Sequence, residues 1–145
     1  MEHYTPRNFF LTESIGFLLN KARNVITAEM DAALKEFDIT SQQMGILLAI
    51  HGRWASTPFE LSKLLAVDTG LMTRMLDKLE AKELLARSRS EEDRRVVNLT
   101  LTAKGIDVAA RLPAQARNVL NARLGTFSPE EFEQLQVLLR KFISD

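Results

Sequence analysis

The chain has 145 residues, which is enough for one domain with its own hydrophobic core and too few for two ordinary domains. Apolar residues make up 46% and charged residues 26% of the chain, a balance typical of soluble globular proteins. The 19 basic and 19 acidic residues cancel, and the absence of cysteine excludes disulfides, thiolate metal sites and cysteine-based redox chemistry.

The pattern of apolar residues predicts neither export nor membrane insertion. No apolar run approaches the roughly 18 residues that span a bilayer, and residues 1–4 lack the basic-then-apolar pattern of a signal peptide. We therefore expect a cytoplasmic protein without membrane contact. The only histidines are His3 and His51, which leaves little from which to build a metal site, and we expect no metal or other cofactor.

Two helices are predicted in the first third of the chain. Apolar residues recur at three- and four-residue spacing from Ile15 to Phe37, which predicts one long helix. Thr40 followed by Gln43 has the form of a capping box, in which each side chain binds the backbone N–H of the other residue. A second helix should therefore run over residues 41–51, and the glycine that follows should end it.

The next two helices are short. Threonine, proline and glutamate at positions 57, 58 and 60 form a strong helix start and predict a helix over residues 57–66. Residues 67–70 interrupt the helical pattern, and the apolar residues from Leu71 onward restart it. The predicted helix covers residues 69–82, so its first turn includes the end of the break. Two short helices separated by a turn of about four residues have the proportions of a helix-turn-helix unit.

The period then changes to that of β-strands. Residues 84–89 and 96–101 can each form a strand, and in the second strand Val97, Leu99 and Leu101 alternate with polar residues. The polar segment between the strands closes a hairpin. A helix-turn-helix followed directly by a hairpin is a winged helix, so the predicted fold is mainly α with a small β-hairpin wing.

Two more helices are predicted at the C-terminal end. Thr102 can cap a long helix, in which Pro113 should introduce a kink because proline removes one backbone donor. Ser128 and Glu131 have the form of another capping box and should open the last helix.

The order of these elements and two local motifs resemble the MarR family of bacterial regulators over nearly the whole chain. The first motif lies on the predicted helix 69–82: Thr73-Arg74 and Leu76-Asp77-Lys78-Leu79-Glu80. The second resembles the family's wing signature: Asp93-Arg94-Arg95-Val96-Val97-Asn98-Leu99-Thr100-Leu101-Thr102, followed by Gly105. The chain departs from the family at Glu83, where a glycine is usual. A glutamate in the left-handed conformation of a helix end costs about 1 kcal/mol, so we expect the fold to survive and this residue to affect the angle of the wing.

The resemblance implies one integrated folding unit with three parts. Residues 1–38 would form an N-terminal dimerisation helix, residues 39–101 a winged helix-turn-helix lobe that binds DNA, and residues 102–145 the C-terminal dimerisation helices. The function implied is that of a sequence-specific transcription regulator and repressor. It would bind a pseudo-palindromic operator as a homodimer and be released by a small effector, such as an aromatic or phenolic compound. No nucleophile motif, phosphate loop or paired ligand spacing predicts an enzyme.

The candidate contacts to double-stranded DNA lie on the helix-turn-helix and the wing. If the leucines and Met75 of helix 69–82 face the core, helical geometry turns its polar residues outward. The resemblance implies that Asp93 orients a loop arginine and that Arg95 reaches a minor groove or a phosphate. The alternatives are a solvated helix face and a salt bridge within the wing. The candidates are Thr57, Thr69, Gly70, Thr73, Arg74, Lys78, Arg87, Arg89, Asp93, Arg94 and Arg95.

The resemblance also implies a two-fold homodimer and an effector pocket. The terminal helices carry more apolar residues than one winged helix can cover, and the alternative is a monomer that folds them back on itself. The predicted dimer contacts are Phe9, Phe10, Leu11, Phe132, Leu135, Leu138, Leu139 and Phe142. The predicted effector contacts, between the dimer helices and the winged-helix lobe, are Phe17, Arg23, Met44, His51 and Trp54. A lone histidine at a helix end is more often a cap or a core residue than a ligand contact.

Zero net charge supports a different function, a winged helix that binds proteins without sequence-specific DNA binding. Phosphates respond to the local field of a surface rather than to the charge of the whole molecule. The position of the arginines therefore decides between these two functions.

Overall fold

The computed structural model describes residues 1–144, and the predicted fold class is confirmed: a mainly helical chain with one antiparallel hairpin. Within these residues no helix is both long and apolar enough to cross a membrane. The elements in chain order are α1 (Ile15–Ala33), α2 (Ser41–His51), α3 (Pro58–Leu65), α4 (Thr69–Ala81), β1 (Leu85–Arg89), β2 (Val97–Leu101), α5 (Ala103–Arg123) and α6 (Pro129–Ile143), with short 3-10 helices at Leu11–Glu13 and Lys35–Phe37.

The predicted helix starts are confirmed by their caps. Thr40 and Ser128 each form a complete capping box with the third residue of their helix. The side chain of Thr57 accepts the N–H of Glu60, and that of Thr102 accepts the N–H of Gly105. These bonds satisfy backbone donors that no intrahelical carbonyl can reach, and they fix where each helix begins.

The first long helix is shorter than predicted. α1 ends at Ala33, and a 3-10 turn at Lys35–Phe37 follows, ended by Asp38 at a φ of 54°. The apolar stripe nevertheless continues, because Leu34 is fully buried and Phe37 packs against the core. Periodicity does not separate an α-helix from a 3-10 turn that keeps the same face inward, and the prediction of one helix to Phe37 was wrong for this reason.

Two further local predictions concern helix breakers. Glu83 has a φ of 59°, so it does adopt the left-handed conformation expected at the position where glycine is usual. α5 continues through Pro113, and the kink there remains a prediction. At the end of α2, the left-handed residue is Arg53, with a φ of 60°, whereas Gly52 has a helical φ of −80°.

The hydrophobic core lies in the winged-helix lobe and extends to the α1–α2 junction and the middle of α5. Its fully buried large side chains are Leu34, Ile46, Leu47, Leu61, Met72, Leu76, Leu79, Leu85 and Leu112. None of the residues of α6, all within the described chain, is buried. The lobe is therefore packed within one chain, whereas α6 leaves its apolar side uncovered.

The wing is anchored at its root. β1 pairs antiparallel with β2, with Leu85 opposite Leu101 and Arg89 opposite Val97. The backbone N–H of Leu99 also donates to the carbonyl of Ser56 (2.8 Å), which ties β2 to the loop before α3. Because β1 follows α4 after only three residues, the position of the hairpin depends on the end of α4.

Candidate nucleic-acid interface

One face of α4 is polar and open to solvent. The buried side of the helix is formed by Met72, Met75, Leu76 and Leu79. The exposed side is formed by Thr69, Gly70, Thr73, Arg74, Asp77 and Lys78. The predicted outward orientation of these six residues is confirmed. Met72, which the apolar pattern did not assign to the core, completes the buried side one helical turn before Leu76.

The first turn of α4 combines free backbone N–H groups with a guanidinium. Asp68 caps the helix by accepting the N–H of Leu71 (2.9 Å). A Cβ on Gly70 would lie 3.6 Å from Nη1 of Arg74, so the Arg74 side chain lies back along this first turn. A helix N-terminus favours anions, and a nearby arginine adds charge and donors for a phosphate or a guanine edge.

Two threonines named as candidates already use their hydroxyl groups. Thr73 Oγ1 donates to the carbonyl of Thr69 (2.9 Å), which leaves its methyl group on the open face. Thr57 Oγ1 donates to Oε1 of Glu60 (2.9 Å) and accepts the N–H of the same residue (3.2 Å). Thr57 is therefore first of all the cap of α3.

The loop of the wing holds an oriented arginine. Arg95 donates through Nε to Oδ1 of Asp93 (3.1 Å) and through Nη2 to Oδ2 (3.2 Å), while its side chain remains 91% exposed. The side-chain hydrogen bond from Arg95, followed by its backbone N–H, lowers the pKa of Asp93 below the ordinary value of a carboxyl group. Asp93 thus fixes the direction of Arg95 and leaves it open to solvent.

The remaining wing arginines differ in their surroundings. Arg89 Nη1 donates to the carbonyl of Arg94 (2.8 Å), and both residues are exposed. Arg87 faces α4, where its Nη2 lies 2.7 Å from Oδ1 of Asp77 and its Nε lies 3.8 Å from Oε2 of Glu80. Only 28% of the Arg87 side chain is exposed, so it does not share the open surface of the other arginines.

The five predicted effector contacts do not line one pocket in the described chain. Arg23 lines a cleft of about 390 Å³ between α1, α2 and the turn before α4, together with Gln42 and Asp68. His51 lines a different cavity of about 630 Å³, between the end of α2, β2 and the start of α5. Phe17, Met44 and Trp54 line neither, and Trp54 is 75% exposed. The grouping of these five residues into one effector pocket at the dimer helices therefore stays a prediction.

The apolar residues predicted to form the dimer lie on the surface of the single chain. Leu135 is half-buried, and the other seven are exposed: Phe9, Phe10, Leu11, Phe132, Leu138, Leu139 and Phe142. The chain does not cover them by folding the terminal helices back on itself. An exposed apolar surface of this kind marks an interaction site.

A capped helix-turn-helix with an open polar face, followed by an arginine-tipped hairpin, defines a winged-helix protein of the DNA-binding class. Residues 39–97 match the sequence profile of the MarR family. The transcriptional repressor NicR of Pseudomonas putida is 32% identical over 92% of this chain and 84% of its own length. The multiple antibiotic resistance protein MarR of Escherichia coli is 31% identical over 86% of this chain and 90% of its own length.

Solved structures that resemble this chain are also of MarR-type regulators. A mutant of Escherichia coli MarR in complex with operator DNA has a TM-score of 0.84 at 28% identity, and the match covers 94% of this chain and all of that one. BpsR of Bordetella bronchiseptica, whose DNA binding is regulated by 6-hydroxynicotinic acid, also has a TM-score of 0.84, at 25% identity over 94% of this chain and 99% of that one. The chain belongs to the MarR family of winged-helix transcription regulators, whose members are not enzymes.

Proposed function

We propose that this protein is a cytoplasmic repressor that binds a pseudo-palindromic operator as a homodimer and is released by a small effector. The observation that carries the proposal is the pairing of an open polar face on α4 with a solvent-exposed Arg95 held by Asp93. In this proposal Thr69, Gly70 and Thr73 approach the DNA with the start of the helix. Arg74 and Lys78 contact base edges or phosphates in the major groove, and Arg95 contacts the minor groove or a phosphate.

Local charge answers the objection raised by zero net charge. Asp77 and Asp93, acidic residues on α4 and on the wing, each lie beside an arginine: Arg87 and Arg95. The exposed cations Arg74, Lys78, Arg89 and Arg94 then add to a surface on which the exposed acids Asp68, Glu91 and Glu92 offset part of the charge. Such a surface attracts phosphates even though distant acidic residues balance the whole chain.

A homodimer would place two copies of α4 on successive turns of DNA. One short recognition helix reads only a few base pairs, and paired half-sites lie about 34–36 Å apart. The uncovered apolar side of α6 and the exposed aromatic residues before α1 supply the surface for a second copy. The complex of Escherichia coli MarR with operator DNA supports the same arrangement here.

The cleft beside Arg23 is the better candidate for the effector. It lies between α1 and the turn that leads into α4, so an occupant could favour one position of the recognition helix over another. Arg23 would supply a cation for a carboxylate or phenolate. The 6-hydroxynicotinic acid that regulates BpsR supports an aromatic acid of this kind.

The test is binding to a DNA fragment that carries the promoter of the chain's own gene, measured across salt concentrations. A repressor should lose affinity steeply with salt and should depend on Arg74, because each phosphate contact adds about 0.9 to the slope of log K against log salt. Arg74→Ala should weaken binding, whereas Arg117→Ala, an exposed arginine of α5, should not. Weak binding to all sequences, with little salt dependence, would favour the protein-binding module instead.

A further inference from the structure

Arg87 is the one wing arginine that turns toward α4. It lies in the middle of β1, opposite Leu99 of β2. Asp77 and Glu80 stand three residues apart in the last turns of α4 and therefore share one face of the helix. The guanidinium of Arg87 meets both carboxylates, at 2.7 Å and 3.8 Å.

The packing of this guanidinium is asymmetric. Its Nη2 donates a hydrogen bond to Asp77, whereas its Nε is buried without a hydrogen-bond partner in the described chain. A phosphate could not reach the buried Nε without moving the strand away from α4. The fork shape of the guanidinium suits two carboxylates on one helix face, and a lysine would not span them in the same way.

We infer that Arg87 is a positioning residue, which sets the angle between the wing and the recognition helix by holding Asp77 and Glu80. The inference rests on the proposed function. Its consequence for recognition is that Oδ1 of Asp77, on the outward face of α4, already accepts a hydrogen bond from Arg87 and is not free for a base. Its consequence for the wing is that Arg95, eight residues after Arg87 in the same hairpin, reaches the DNA at a fixed angle.

The ion pair is one of several contacts that limit the wing angle. The hairpin follows α4 through Glu83, whose backbone is in the left-handed conformation. At its root the hairpin is held by Ser56 and Thr102, through the bonds from Leu99 N to Ser56 O and from Thr102 Oγ1 to Glu83 O. Arg87 adds a contact between β1 and α4 at the level of Leu99, whose side chain is buried in the core from the other strand.

The test uses Asp77→Asn, which should weaken DNA binding if Asp77 holds Arg87 in place and tighten it if only the charge of Asp77 matters. Removing the charge of Asp77 makes the DNA-facing surface more positive, so electrostatics alone predicts tighter binding by Asp77→Asn. If Asp77 instead holds Arg87 in place, Asp77→Asn weakens binding to the promoter fragment by about 3- to 10-fold. Glu91→Gln is the matched control: Glu91 is an exposed acid of the wing with no ion pair within residues 1–144, and its loss should leave affinity unchanged or raise it.

A double-mutant cycle completes the test. Positioning predicts that Arg87→Gln weakens binding about as much as Asp77→Asn, and that the double variant is no worse than either single variant. A direct phosphate contact by Arg87 predicts that Arg87→Gln weakens binding, Asp77→Asn tightens it, and the two effects add. Thermal unfolding of each variant is measured alongside, because the Asp77 carboxylate is 59% exposed, such a partly exposed ion pair adds little stability, and all three variants should remain folded.

The outcomes separate the two proposals. If the wild-type protein fails to bind the fragment with a steep salt dependence, both the proposed function and this inference fall. If the wild-type protein binds and Asp77→Asn is neutral or tighter, the proposed function stands and the positioning role of Arg87 is overturned.

Discussion

The first turn of α5 rests directly on the backbone of Leu84, and a Cβ on Gly105 would lie 1.9 Å from the Leu84 carbonyl oxygen. Gly105 itself is buried, so the contact has no room to relax toward solvent. We expect Gly105→Ala to lower the free energy of unfolding by about 1–3 kcal/mol or more, because the wing root and α5 must move apart. Denaturant unfolding measures the loss.

Gly45→Ala is the control for this prediction. A Cβ on Gly45 would meet only Leu65 side-chain atoms, at 3.5 Å and 3.7 Å, which is ordinary contact. Since Gly45 lies within α2, an alanine there should be neutral or should stabilise the protein by up to about 1 kcal/mol. Equal effects of the two substitutions would contradict the close packing at Gly105.

The left-handed backbone of Glu83 offers a substitution that should stabilise the protein. Glycine adopts a φ of 59° without the clash between Cβ and the carbonyl oxygen that glutamate suffers. Glu83→Gly should therefore raise the free energy of unfolding by about 0.5–1 kcal/mol. Ala81→Gly, in the last turn of α4, should do the reverse by about the same amount, because glycine is disfavoured inside a helix. A destabilised Glu83→Gly variant would mean that the glutamate side chain contributes more than its backbone strain costs.

Local chemistry made most of the fold predictable. Helix starts depend on two or three neighbouring residues, and the caps at Thr40, Thr57, Thr102 and Ser128 all occur where the sequence placed them. Each wing strand begins one residue later than predicted, at Leu85 and at Val97, because the alternation of apolar residues does not resolve where a strand starts. The left-handed residue at Glu83 was predictable because a helix end imposes that conformation regardless of distant contacts.

Contacts between distant residues were harder to predict. Arg87 was grouped with the other wing arginines because all four lie close in sequence, yet its partner Asp77 is ten residues away on another element. Within the single chain, Arg23 and His51 likewise line separate cavities, which only the packing of α1 and β2 defines. Charge and periodicity place a residue on a face of its own element, but they do not say which element lies opposite.

A charge on α6 should prevent dimer formation. Leu138 is 62% exposed in the single chain and lies among the apolar residues of the proposed dimer surface. Leu138→Asp would place an unpaired carboxylate in that surface, and we expect it to weaken dimerisation by about 100-fold or more. Light scattering after size-exclusion chromatography measures the mass in solution. Gln136→Asp adds the same charge to another exposed position of α6 and should remain dimeric; a dimeric Leu138→Asp variant would exclude this surface as the interface.

The exposed Arg95 should matter for DNA and not for folding. Its side chain is 91% exposed and outside the core, so Arg95→Ala should unfold at nearly the wild-type temperature. A charge-assisted contact is worth about 1.5–3 kcal/mol, so the variant should bind the promoter fragment about tenfold more weakly or worse. Its salt slope should fall by about one. Normal affinity in a folded variant would contradict the assignment.

The same variant should change the titration of Asp93. The hydrogen bonds from Arg95 lower the pKa of Asp93 in the folded protein, so the pair stabilises the fold at pH above the unfolded-chain value. That stabilisation is lost as the pH falls through the lowered folded-state pKa, which lies below the range in which DNA binding is measured. In Arg95→Ala the midpoint for Asp93, followed by NMR, should move up toward the ordinary carboxyl value because the largest cause of the shift has been removed. An unchanged midpoint would show that Arg95 does not hold Asp93 in solution, and the wing arginine would then reach DNA without a fixed direction.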